Sequence, residues 1–202
     1  MVKVYLSLGS NIDRERYLGA ALDALRDKFG DMHLSPVYES EAVGFEGDSF
    51  YNLVVGVDTD LPVGELARYL RGVEELNDRL RSGGKFSSRT LDIDILTYGQ
   101  FSGPVDGLEL PRDEILKYAF VLLPLADIAG DEKHPVLGET YRDLCASLMF
   151  EIKLPSETGD SKPGPRKTIS KANKNSQKPF QKLWPVNFTW QGKQISSALF
   201  KR

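Results

Sequence analysis

The spacing of apolar residues changes along this chain in a fixed order, and that order constrains the fold more than any other feature. Residues 2–7 alternate, with Val2, Val4 and Leu6 set against Lys3, Tyr5 and Ser7. A period of two is that of a strand with one buried face. Gly9-Ser10-Asn11 supplies turn chemistry. Leu18, Ala21, Leu22 and Leu25 then recur at steps of three and four, which predicts an amphipathic helix closing near Gly30. Residues 33–40 read as a second strand, with Pro36 toward an edge. A glycine-containing loop over 43–49 leads into a third strand at 51–57. Pro62 opens a second helix with Leu66, Leu70, Val73 and Leu76 on one face. Residues 80–88 read as a loop, and 91–98 as a fourth strand.

The order is β-α-β-β-α-β. The expected class is α+β: a ferredoxin-like core whose sheet carries both helices on one face. Beyond it lie Leu108-Glu109-Leu110-Pro111, an apolar run from Phe120 to Leu125, and a short helix over 141–149. These additional C-terminal strand and helix elements are expected to cover the other face of the sheet.

Composition changes at Pro155. Residues 155–202 hold 10 Lys and Arg against 2 Asp and Glu, a balance of +8; residues 1–154 hold 16 basic and 27 acidic residues, a balance of −11. Ser, Lys, Pro, Asn and Gln dominate as far as Lys182, with no periodic apolar face. Such a stretch cannot offset its ordering entropy. The expected division is therefore a folded domain at 1–154 and a basic, largely disordered C-terminal extension at 155–202. Phe180, Trp184, Phe188, Trp190 and Phe200 sit among the lysines of the extension. Two readings fit them: a solvated tail with a little residual docking, or a segment that binds an acidic partner, the acidic body included, or a nucleic acid. No recognition motif supports nucleic acid, and none is expected on the folded domain.

Several function classes are excluded. Cys145 is the single cysteine, so no internal disulfide framework or thiolate zinc cluster can form. No apolar run approaches the roughly 18 residues of a membrane span. The first residues enter a strand pattern without signal-peptide anatomy, so a cytoplasmic protein is expected. There is no G-x-x-x-x-G-K-[ST] loop, since Ser82-Gly83-Gly84-Lys85 is too short. His33 and His134 are the only histidines, and neither completes a credible triad.

The chemistry-bearing residues cluster at Arg89-Thr90-Leu91-Asp92-Ile93-Asp94-Ile95-Leu96. On a strand, Asp92 and Asp94 share one face, while Leu91, Ile93 and Ile95 share the other. Paired carboxylates suit a hard ion such as Mg²⁺, which keeps some waters and recruits phosphate oxygens as further ligands. The same pair also fits an exposed strand face bearing two solvated acids. Arg79, Arg81, Lys85 and Arg89 lie just ahead. Guanidiniums hold phosphate oxygens bidentately and keep their charge. Acids for metal beside arginines for phosphate suit nucleoside triphosphate chemistry, and a basic loop paired to the acidic body fits equally.

Four ordered blocks carry a resemblance: Ser7-Leu8-Gly9-Ser10-Asn11, Phe50-Tyr51-Asn52, Arg89-Thr90-Leu91-Asp92-Ile93-Asp94, and Leu110-Pro111 followed by Phe120-Val121-Leu122-Leu123-Pro124-Leu125. Over roughly residues 1–150 the chain resembles the 6-hydroxymethyl-7,8-dihydropterin pyrophosphokinases, as a divergent member. The resemblance implies transfer of diphosphate from ATP to the pterin's hydroxymethyl oxygen, with release of AMP, in folate synthesis. It implies two Mg²⁺ ions on Asp92 and Asp94, with ATP as co-substrate. It makes Arg79 and Arg89 the catalytic cations that stabilise charge on the phosphates. It assigns Glu74, Arg79, Arg81, Arg89, Ile95, Arg112 and Tyr118 to the ATP side.

On the pterin side the resemblance points to Ser40 and Val43 through their backbone, Asn52 as the amide that reads the heterocycle's edge, and Phe50, Phe86 and Phe120 as aromatic faces. Phe86 stands where the family often carries a tryptophan lid. Three departures accompany the match. Arg112 replaces a histidine, Tyr118 replaces an arginine, and Ser87-Ser88 replaces Gly-Pro. Tyr118 brings no charge at neutral pH. These departures suit a second reading, a weakened or inactive relative that keeps a nucleotide or pterin pocket for regulation.

Overall fold

In the computed structural model, which describes residues 1–78, 89–153 and 183–195, the first strand is the central one. β1 (Val2–Ser10) pairs antiparallel with β4 (Phe50–Thr59) on one side and β5 (Asp92–Tyr98) on the other. Val4, Leu6 and Leu8 point to one face and are fully buried there. Leu53, Val55 and Val57 of β4 and Ile93 and Ile95 of β5 lie in the same core. α1 (Arg14–Phe29) and α2 (Val63–Leu76) close this face with Leu18, Leu22 and Leu25 from one and Leu66, Leu70 and Val73 from the other. Gly30 ends α1: its N–H makes the last helical bond to the Arg26 carbonyl at 2.8 Å, and its φ of 75° then turns the chain out of the helix.

The opposite face holds Tyr5, Val54 and Leu96. It is covered by α3 (Glu114–Lys117), α4 (Ala119–Ala129) and α5 (Tyr141–Lys153). The fold is thus α+β, with the first two helices on one side and the C-terminal helices on the other. α4 is the apolar run of the sequence. It lies against β4 and α5 and keeps its helical course through Pro124.

Residues 33–40 do not form one strand. β2 (His33–Leu34) and β3 (Tyr38–Ser40) both pair with β4, separated by Ser35-Pro36-Val37. Pro36 has no N–H to give to a ladder. The Ser35 hydroxyl fills in, accepting from the Val54 N–H and donating to the Pro36 carbonyl, each at 2.8 Å. β6 (Gly103–Val105) and β7 (Leu108–Leu110) form a hairpin. The Asp106 carboxylate at its turn accepts the Gly64 N–H at 2.9 Å, placing negative charge at the α2 N-terminus.

The C-terminal part contributes structure that composition does not suggest. β8 (Leu183–Pro185) pairs antiparallel with β3, so the main sheet runs β5-β1-β4-β3-β8. β9 (Phe188–Trp190) and β10 (Lys193–Ile195) form a hairpin. Phe188 is buried in the core shared by the sheet, α1 and α2. Its burial contributes about 1.5–3 kcal/mol toward holding the segment, alongside the pairing of β8 with β3. Disorder expected over 155–202 does not extend to 183–195; residues 155–182 and 196–202 lie outside the described residues. Among the described residues no helix is long and apolar enough to cross a membrane.

Candidate active site

Antiparallel register puts paired residues side by side on one face. Gly9 of β1 pairs with Asp92 of β5 and with Asn52 of β4. Ser7, two residues earlier, pairs with Asp94 and Val54. Two neighbouring rows thus cross three strands on the face that carries α3–α5, with Val54 under the helices and Gly9, Asn52, Ser7, Asp92 and Asp94 lining the cleft beside them. Asp92, Gly9 and Asn52 form one, and Asp94, Ser7 and Val54 the other. The middle position of the first row has no side chain, so a floor opens between carboxylates and amide. A Cβ at Gly9 would stand 3.6 Å from Asn52 Oδ1 and 3.8 Å from Phe50 Cδ1.

Above this floor lies a cleft of ≈ 310 Å³. Asp92, Asp94, Arg89, Arg112 and Glu114 line one end. Ser40, Val43, Phe45, Phe50, Asn52 and Phe120 line the other, with Glu41, Tyr118 and Val121. The charged end is internally paired. Arg89 Nη1 donates to Asp92 Oδ2. Arg112 Nη2 lies 3.5 Å from Asp94 Oδ1 and 3.1 Å from Glu114 Oε1. Asn11 fixes Arg89 from behind. Its Oδ1 accepts the Arg89 N–H at 2.6 Å and its own N–H donates to the Arg89 carbonyl at 3.1 Å.

At the other end, Asn52 Nδ2 donates to Ser40 Oγ at 2.9 Å. Both residues are buried. Phe45 meets Phe50 edge to face, with centroids 6.2 Å apart. Tyr118 stacks on Phe120 at 5.0 Å and 13°. Aromatic faces with an amide among them suit a flat polar heterocycle.

The described residues include no group of three or more His, Cys, Asp and Glu that could cage a metal. Asp92 and Asp94 are nevertheless a fitting donor set for Mg²⁺. The donors are all oxygen, and this ion commonly takes one or two carboxylates and completes its shell with water and substrate phosphates.

The sequence-expected site residues fall into three groups. Asp92, Asp94, Arg89, Arg112, Tyr118, Ser40, Val43, Phe50, Asn52 and Phe120 come together around the cleft. Glu74 and Ile95 do not line it. The Glu74 carboxylate is buried and accepts the Ile93 N–H at 2.8 Å, and the Ile95 side chain packs in the core with Ile93. Glu74 thereby pins β5 between its two acids. Arg79, Arg81 and Phe86 lie outside the described residues. Sequence reasoning did not assign Ser7, Gly9, Glu41, Phe45, Leu96, Glu114 or Val121, all of which line the cleft. For Ser7 and Gly9 the signal was their place on the polar parity of β1.

Comparison with known proteins follows the same lines. The family described as 7,8-dihydro-6-hydroxymethylpterin-pyrophosphokinase (HPPK) matches residues 5–130. A 2-amino-4-hydroxy-6-hydroxymethyldihydropteridine pyrophosphokinase of Pseudomonas aeruginosa is 36% identical over 154 residues, covering 74% of this chain and 93% of that one. Its counterpart in Aquifex aeolicus is 36% identical over 145 residues, covering 71% and 90%. A folic acid synthesis protein of Dictyostelium discoideum is 29% identical over 192 residues, 94% of this chain and 28% of that one. Among solved structures, Plasmodium falciparum HPPK-DHPS matches with a TM-score of 0.58 at 20% identity, covering 76% of this chain. This chain spans under half of that protein, 44%, and the likeness concerns the fold.

Proposed function

Because the chain belongs to the 7,8-dihydro-6-hydroxymethylpterin-pyrophosphokinase family, we propose that it transfers the β,γ-diphosphoryl group of ATP to the hydroxymethyl oxygen of 6-hydroxymethyl-7,8-dihydropterin. It is an ATP-dependent diphosphotransferase of folate synthesis. The observation that carries the reading is the row Asp92–Gly9–Asn52, which sets a carboxylate end and an amide end on opposite sides of an open floor. The residue roles below, the division at 154–155 and the cytoplasmic location are parts of this proposal.

The pterin hydroxyl oxygen attacks the β-phosphorus. The bond from that phosphorus to the α,β-bridging oxygen breaks, and AMP leaves with the electron pair. Phosphoryl chemistry of this kind depends on positioning and charge stabilisation. Asn52 reads the heterocycle's edge, held by Ser40. Phe50 and Phe120 hold the ring, and Val43 lines its edge. Asp92 and Asp94 would hold two Mg²⁺ ions, which when bound neutralise the triphosphate and lower the hydroxyl's pKa.

Arg89 and Arg112, paired to acids in the structure, lie where a triphosphate would exchange those partners for phosphate oxygens. Arg112 brings a cation where the family commonly has histidine. Arg79 and Arg81 would add further positive charge, and Phe86 would cover the ring and exclude water. Tyr118 stands against Phe120 and extends the aromatic wall. Among the described residues of the cleft none is placed as a dedicated general base, so either a bound metal would lower the hydroxyl's pKa or the proton leaves late in the transfer.

The test is AMP release by the full-length chain given ATP, Mg²⁺ and the reduced pterin. AMP formed only when all three are present supports the enzyme. Tight binding of both substrates without AMP would select the regulatory reading instead.

A further inference from the structure

Among the features that this reaction leaves unused, the docked C-terminal segment pairs with β3, the strand that carries Ser40 of the site. β3 has three residues, and without β8 it would be the sheet's edge. β8 gives it a second partner, in the register Tyr38↔Pro185, Glu39↔Trp184 and Ser40↔Leu183. The Val186 N–H donates to the Val37 carbonyl at 3.0 Å and continues the pairing. Ser40 also pairs with Phe50. Leu183, Ser40 and Phe50 therefore lie in one row on the cleft face.

The segment is anchored at its far end. Phe188 is 2% exposed, with Val186, Trp190 and Ile195 packed against the same core. Trp190 Nε1 and Gln191 Nε2 donate to Asp23 Oδ1 of α1 at 3.1 and 2.9 Å. The Arg26 guanidinium sits over the Trp190 ring at 5.3 Å. On the body side, Arg14 joins the same strand to the loop that follows it. Its Nη1 reaches Glu39 Oε1 at 2.8 Å and the Ser49 carbonyl at 2.9 Å.

We propose that residues 183–195 are a positioning strap for the heterocycle-binding half of the cleft. By making β3 an interior strand, the strap fixes Ser40, and through Ser40 the rotamer of Asn52 and the start of the loop carrying Val43 and Phe45. Restricting β3 in this way preorganises the ring site and leaves the carboxylate end untouched. The inference rests on the pterin reading of that half.

The test uses the full chain with two substitutions. Phe188→Ser removes the buried anchor, and Trp190→Ala removes the contacts with Asp23 and Arg26 and the ring's partial packing on the core while leaving Phe188 in place. Far-UV circular dichroism checks folding. A change in the emission of Trp190, one of the two tryptophans of the chain, reports undocking in Phe188→Ser. Undocking is expected to raise the KM for the reduced pterin about tenfold in Phe188→Ser and less in Trp190→Ala, while the KM for ATP changes less than about twofold, since loss of preorganisation acts at the loosened half alone.

Hydrogen exchange supplies a measurement that needs no variant. Binding of the reduced pterin to the wild-type chain should slow exchange in 37–40 and 183–186, and ATP alone should not. An unchanged pterin KM in undocked variants, or equal changes for both substrates, overturns the strap alone. Failure of the wild-type chain to bind the reduced pterin overturns the functional reading and the strap together.

Discussion

Gly9 matters for the side chain it lacks. It sits between Asp92 and Asn52 in a three-strand row, where β-branched residues normally favour strands. Gly9→Val should leave the fold as stable as before or slightly more so, while filling the floor beside Asn52 Oδ1. The expected result is a thermal midpoint within a few degrees of wild type and a pterin KM raised at least tenfold, roughly the penalty for a misplaced substrate. A normal KM would mean that the floor is not where the ring lies. Asp94 is the complementary case. Its side chain is 48% exposed, so Asp94→Ala removes little packing. Turnover should fall by about 10²–10³-fold or more, the cost of losing one electrostatic contact to the reacting group. Circular dichroism should not change. Near-normal turnover in that variant would place metal and triphosphate elsewhere.

Elements with a clean period were legible in the sequence, and those without one were not. β1, α1, β4, α2 and β5 each carry an apolar stripe facing one core, and with the strand read over 33–40 they gave the β-α-β-β-α-β order. The break between β2 and β3 was hidden, because it depends on the Ser35 hydroxyl accepting the Val54 N–H and donating to the Pro36 carbonyl, bonds that no apolar pattern records. α4 is apolar almost all round, since it packs under both the sheet and α5, and a helix without a polar side shows no period. β8, β9 and β10 have three residues each, too few for alternation to stand out from a lysine-rich background. Within the site, the acid pair could be seen because both members lie on one strand. The Asp92–Gly9–Asn52 row could not, because it exists only once three strands are in register. The turn ahead of α5 adds a pH-dependent feature. His134 Nδ1 accepts the N–H groups of Val136 and Leu137, each at 3.3 Å, and burial lowers the imidazole's pKa from 6.5. The unfolded chain therefore binds a proton at a pH where the folded chain does not. Stability is full above about pH 6.5 and declines as pH falls through that value toward the lower folded pKa. The urea midpoint should drop between about pH 7 and pH 5, and His134→Asn, which keeps an acceptor without titrating, should flatten that drop. An identical slope in the variant would assign the effect to other groups.

At the scale of the molecule, an acidic body and a basic C-terminal part meet in one sheet. The body contributes Asp23 and Glu39 to the neighbourhood of residues 183–195, and the C-terminal part contributes Phe188 to the body's core. On the proposed function, substrates spanning the cleft would tie both ends of it to the same folded state. Saturation with an unreactive ATP analogue, Mg²⁺ and the reduced pterin should therefore raise the thermal midpoint. At about 100 times Kd one ligand adds about 2.7 kcal/mol, or roughly 5–10 °C for a chain of this size. No shift with either ligand would mean that the cleft is not their site. The most direct measurement of the central claim follows the pterin's own oxygen. With the hydroxymethyl group labelled with oxygen-18 and the products read by mass spectrometry, the label should appear in the pterin diphosphate and be absent from AMP. Label in AMP, or ADP as the nucleotide product, would contradict a cleft that presents the pterin hydroxyl to the β-phosphorus of ATP.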